Sequence, residues 1–115
     1  IEKYTYPDVV VACDKMEFLE DELDSLVNPV VIIEILSDST EAYDRGLKFQ
    51  HYQFIESLEE YILISQHMCQ VEKFQRGTGG IWLYSSVRDM GESLKIVTIK
   101  CELPLLEIYK RVEFE

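Results

Sequence analysis

Two carboxylates stand where apolar segments would ordinarily exclude them. Asp8 follows Pro7 directly and opens "DVVVAC", and Glu34 interrupts the β-branched run "VVIIEIL". A run that apolar, without polar alternation, suits a central strand covered on both faces. A carboxylate inside it costs several kcal/mol, on the order of the polar-transfer penalties, unless a cation, a set of donors or a proton compensates it. If the two strands are neighbours, Asp8 and Glu34 can converge. Two hard oxygen ligands close together make a site for Mg²⁺ or Mn²⁺, with water and a phosphate completing the octahedron. Without an ion, like charges at that range push one pKa upward.

A third element follows at once. In "EAYDRGLKFQHYQFIES", Asp44, Lys48 and Tyr52 are spaced i, i+4, i+8 and share one helix face. Lys48 can reach the same site, where an ammonium would stabilise a phosphorane-like transition state or orient the attacking water. The competing reading is an exposed Asp44–Lys48 pair worth about 0.3–0.5 kcal/mol with Tyr52 packed beneath, and on spacing alone it is the better one.

The elements that must carry these residues read as follows. A short strand enters after Pro7, and the acidic stretch "DKMEFLEDELD" over residues 14–24 follows as a solvated connection. The central strand over residues 30–36 runs into "SDST", which supplies N-cap residues for a helix over residues 41–57, packed through Tyr43, Leu47, Phe54 and Ile55. "EYILIS" is a second buried strand, and "CQVEKFQR" alternates like a half-exposed one. "GTGG" is a turn and no phosphate loop, since it lacks the lysine and the serine or threonine of a Walker sequence. "IWLYSSV" and "SLKIVTI" are further strands, and the tail "CELPLLEIYKRVEFE" fits a strand or a short helix. The expected fold is therefore α/β of the α+β kind, a mixed sheet with one long helix packed on one face, in a single domain over residues 1–115.

Composition narrows the classes. The net charge of −11 argues against easy nucleic-acid binding, which normally rests on a basic surface. Cys13, Cys69 and Cys101 form no C-x-x-C pair, so neither a zinc knuckle nor a disulfide framework is indicated, and a reducing cytoplasm is the expected setting. No apolar stretch approaches the ~20 residues of a bilayer span, and the N-terminal residues contain no signal-peptide h-region. His51 and His67 are isolated, "SDS" offers a cap and no serine-nucleophile arrangement, and Trp82 and Tyr84 read as packing residues. The chain starts at Ile1, which reads as a fragment or a truncated domain.

The segments "YPDVVVACD", "PVVIIEILSDSTEAYDRGLKFQHY", "EEYILIS" and "VEKFQR", continuing through "ELPLLEIY", closely resemble the Uma-type restriction endonucleases, a branch of the PD-(D/E)XK nuclease superfamily. The most specific parts are Pro7-Asp8, "EILSDST" around Glu34, and the D-R-x-x-K-x-x-x-Y of Asp44, Arg45, Lys48 and Tyr52. The resemblance implies a restriction-endonuclease-like core and Mg²⁺-assisted hydrolysis of DNA, with Asp8 and Glu34 as metal ligands. It leaves Arg45 and Tyr52 to contact phosphate or orient the site. It also departs from the pattern. The superfamily lysine two residues after the glutamate is Leu36 here, and Lys48 on the following helix is the matching candidate. Family domains extend further at the N-terminus. Action on two strands favours a homodimer. The alternative is a non-catalytic binding or assembly module that keeps the nuclease fold, with Glu34 and Lys48 as a buried ion pair.

Overall fold

A computed structural model describes residues 9–12, 28–36 and 44–110; Asp8, Cys13, Tyr43 and the acidic stretch over residues 14–24 lie outside them. The architecture is α+β. Five strands form one mixed sheet in the order β1 (Val9–Ala12), β2 (Pro29–Leu36), β3 (Glu60–Ser65), β4 (Val71–Arg76), β5 (Trp82–Val87). β2 and β3 are parallel, and every other neighbouring pair is antiparallel. A second, two-stranded sheet pairs β6 (Ser93–Ile96) with β7 (Cys101–Pro104), and the short helix α2 (Leu105–Ile108) follows.

The parallel step from β2 to β3 requires a crossover, and the helical segment supplies it. Its described part is a π-helical turn, Asp44–Lys48, running into α1, Phe49–Tyr52. The long helix expected over residues 41–57 is thus too long at its C-terminal end. The reason is tertiary. Arg76 at the end of β4 donates from Nε to the Leu58 carbonyl (2.6 Å) and from Nη2 to those of Ile55 (2.9 Å) and Gln53 (3.3 Å), while its guanidinium lies 4.5 Å from the centre of the Trp82 ring. Ser57 Oγ donates to the Pro29 carbonyl. These partners draw the chain out of the helix and down to the start of β3.

The π-helical turn inserts one residue per turn and so rotates the positions that follow it. Leu47 and Phe54, expected to pack, are exposed (53% and 85%), whereas Phe49 and Tyr52 face the sheet with Ile55 beside them. Phe49 stacks parallel to Tyr61, touches Phe74 and meets Trp82 edge-on. Ile32, Leu36, Leu58, Tyr61 and Leu63 complete this core.

The other face of the sheet packs Val31, Ile62 and Val71 against Leu94 and Ile96 of the small sheet and against Leu105 and Tyr109. A buried acid ties the two sheets together. Glu60 is fully buried and accepts the amides of Val97 (3.2 Å) and Thr98 (2.7 Å), with Lys73 Nζ 3.3 Å away and donating in turn to the Lys95 carbonyl. That binding explains why "SLKIVTI" does not continue as one strand: it leaves β6 at Val97 for a 3₁₀ turn, Val97–Ile99, and Lys100 closes the turn in the left-handed region (φ 53°). Between β4 and β5 the glycine-rich segment makes the expected turn, with Gly79 and Gly80 at φ 71° and 81°, where a side chain would be strained.

Candidate functional site

Glu34 sits near the C-terminal end of β2, in register with Leu63 of β3, and is 1% exposed. Strand alternation puts it on the same face as Ile32 and Leu36, the face that the helical segment covers. Two donors from that segment meet one carboxylate oxygen. Lys48 Nζ lies 2.9 Å from Glu34 Oε2, and Tyr52 donates its hydroxyl to the same oxygen at 3.3 Å. The side chains of the pair are 9% and 2% exposed, so this is a desolvated ion pair and the exposed-pair reading of Lys48 fails.

Local sequence explains the convergence. Lys48 ends the π-helical turn and Tyr52 ends α1, four residues later, so both stand on one side of the helix. Tyr52 is held against Tyr61, its ring meeting that ring edge-on at 5.4 Å. Leu36, two residues after Glu34, is buried among apolar neighbours of the same face. Arg45 belongs to the same π-helical turn, but its side chain and that of Asp44 lie outside the described residues, as does Asp8. β1 and β2 are neighbours, as convergence of Asp8 and Glu34 requires, and their antiparallel register pairs Val9 with Ile33 and Val10 with Ile32. Among the described residues, no group of three or more His, Cys, Asp or Glu side chains is placed to hold a metal ion.

Sequence reasoning missed a second acid on this face. Glu72 is in register with Leu63 and so lies in the same transverse row as Glu34, two strands away. It is 5% exposed and accepts a 2.6 Å hydrogen bond from the hydroxyl of half-exposed Tyr84. That bond, with burial and the carboxylate charge, raises the Tyr84 pKa. The period-2 spacing of Glu72, Phe74 and Arg76 was the available signal, since it gives all three to one face. His51 and His67 are exposed and take no part.

No helix among the described residues is long and apolar enough to cross a membrane. A family model described as "Uma2: Putative restriction endonuclease" matches residues 1–105. Two proteins of Synechocystis sp. are similar. One, the uncharacterized protein sll1609, is 37% identical over 95 residues, which is 83% of this chain and 52% of that protein. The other, the uncharacterized protein slr1290, is 31% identical over 113 residues, 98% of this chain and 58% of that protein. The chain spans about half the length of the curated relatives it matches. The match over nearly the whole sequence takes in β2 with its buried glutamate, the helical segment that neutralises it and the strands that support both, and on that ground the chain belongs to the Uma2 restriction endonuclease family.

Proposed function

We propose that this chain is the core of a divalent-metal-dependent endonuclease acting on DNA, with Glu34 and Asp8 as the metal ligands and Lys48 as the catalytic cation. The observation that carries the reading is the buried Glu34 carboxylate with the Lys48 ammonium at 2.9 Å, delivered from the helix in place of a lysine at Leu36. Glu34, a carboxylate near the C-terminal end of β2, is the class of hard oxygen donor that such a divalent cation takes. The reading further requires the β1–β2 ladder to run one pair beyond Val9 and Ile33, which sets Asp8 beside Glu34. When bound, the ion supplies positive charge at the attacked phosphate and acidifies the attacking water.

The chain's own residues do the rest. The Lys48 ammonium stabilises the charge that builds on the phosphate oxygens, and its buried position makes that interaction stronger than at the surface. Tyr52 keeps the carboxylate oriented, and Arg45 contacts a flanking phosphate, which matters in a chain with 22 acidic and 11 basic residues. A homodimer would serve two strands.

A second reading has its own support. Glu34, Lys48 and Tyr52 already form a compensated buried cluster, as a non-catalytic module retaining the fold would need. Calorimetric titration with Mn²⁺ separates the two. The nuclease reading expects binding that Glu34→Gln and Asp8→Asn each abolish. Absence of binding to the parent chain, or binding unaffected by both substitutions, leaves the structural pair as the better account.

A further inference from the structure

One buried carboxylate faces two cations of different kinds. The Lys48 ammonium lies 2.9 Å from Glu34 Oε2, and the Tyr52 hydroxyl donates to the same oxygen at 3.3 Å. With side-chain exposures of 9% and 2%, the charged pair is almost out of water, where charges are screened least. The other acid on this face, Glu72, is separated from Glu34 by Leu63 and is held by Tyr84, so the charge at the centre is that of Glu34, Lys48 and whatever joins them.

With Asp8 and Glu34 as its ligands, a divalent ion meets two carboxylates, and Lys48 already cancels one of them at contact distance. Loading the ion beside the ammonium takes the cluster from one net negative charge to one net positive charge. With Lys48 absent, the same ion takes two negative charges to neutrality. Like charges gathered on one desolvated carboxylate repel strongly, so the ammonium opposes the ion. Hydrogen-bonding capacity does not set this limit, since an ammonium has three donors and can serve more than one acceptor. The conflict is one of charge, and Tyr52, a neutral donor at the same oxygen, takes no part in it.

We infer that Lys48 is the resident counter-ion of Glu34 and is antagonistic to the divalent ion: uptake of the ion releases the ammonium from Glu34, which makes it available to a substrate phosphate. The inference rests on the reading of Glu34 as a metal ligand. Linkage makes the antagonism reciprocal, because the factor by which Lys48 weakens ion binding is the factor by which the ion weakens the Lys48–Glu34 bond. The compensated cluster is then the resting state of the centre. A buried ion pair and a lysine that acts on phosphate are two states of one side chain, exchanged by the ion.

Calorimetric titration of Mn²⁺ at pH 8 into the parent chain, Lys48→Met and Tyr52→Phe tests it. Lys48→Met binds the ion about tenfold or more tightly than the parent does, and Tyr52→Phe stays within about threefold of the parent. Saturating Mn²⁺ also raises the urea midpoint of Lys48→Met further than that of the parent. A second readout uses the parent alone and so does not depend on how a variant folds. In its ¹⁵N spectrum, the Lys48 ammonium, protected by burial, loses protection from solvent exchange as Mg²⁺ is added. Binding to Lys48→Met alone supports the inference and shows that the lysine blocks the ion outright in the parent. Mn²⁺ binding to Lys48→Met that equals or falls below binding to the parent overturns the inference while leaving Glu34 a ligand. So does a Lys48 ammonium that stays protected at saturating Mg²⁺. Absence of binding to both chains removes the metal site, and the inference with it.

Discussion

Replacing Lys48 by methionine keeps most of the side-chain volume and removes only the cation, so it measures what holds a carboxylate at 1% exposure. At 2.9 Å and an effective dielectric of about 20, the two charges attract by roughly 6 kcal/mol, which is comparable with the several kcal/mol per ion lost in desolvating them. The intact pair is therefore worth little net, but breaking it is expensive. Lys48→Met should cost about 3–5 kcal/mol in urea denaturation at pH 7, whereas Glu34→Leu combined with Lys48→Met should be close to neutral or stabilising by about 1–4 kcal/mol. A pH series adds an independent check. In the single variant a buried carboxylate that has lost its cation favours its protonated form, so its folded pKa rises above the unfolded value of about 4.3. The stability this contributes is fully present below that unfolded value and is lost as pH rises through the folded one, so the gap from the parent should widen between pH 5 and pH 8. A loss below about 1 kcal/mol, or a double variant less stable than Lys48→Met alone, would refute the picture of a desolvated, mutually compensating pair.

Other outcomes follow from neighbouring features. Gly46 lies inside the π-helical turn with nothing among the described residues crowding the position of a Cβ, so Gly46→Ala should stabilise the fold by about 0.4–1 kcal/mol, read as a higher denaturation midpoint. At high pH the tyrosines become liabilities. Burial raises the Tyr109 pKa, and the bond to Glu72 raises that of Tyr84, so both favour the fold fully below the unfolded value of about 10 and withdraw that support as pH climbs through their raised folded values. Denaturation at pH 9 and pH 11 should show a drop that Tyr109→Phe reduces; an equal drop in the variant would place the alkaline transition elsewhere.

How much of this was legible in the sequence depended on range. Glu34 was conspicuous because one charge broke a β-branched run, and helical spacing linked Lys48 to Tyr52, but that spacing alone favoured an exposed Asp44–Lys48 pair, and the meeting of Lys48 and Tyr52 at one Glu34 oxygen is set by the fold. The end of the helix could not, because Arg76, the residue that takes the carbonyls of Gln53, Ile55 and Leu58, stands on a strand 18 to 23 positions downstream. The same limit hid Glu60 and Glu72. Their burial is satisfied by Val97 and Thr98 amides, by Lys73 and by Tyr84, none of which a period-2 pattern reveals. Periodicity identified the strand character of "SLKI" but not its partner, since alternation says which face a residue takes and nothing about which sheet it joins.

The Arg76 contacts also bear on the order in which the molecule can be assembled. β2, the helical segment and β3 form a crossover whose ends gain little until they are pinned, and closing such a loop costs entropy before any pairing repays it. The pin is a guanidinium at the far end of β4, so a chain emerging from its N-terminus holds Glu34 and Lys48 without their final support until the β3–β4 hairpin has appeared. The charged centre of the fold thus precedes in the chain the strand whose arginine fixes the end of its helical segment.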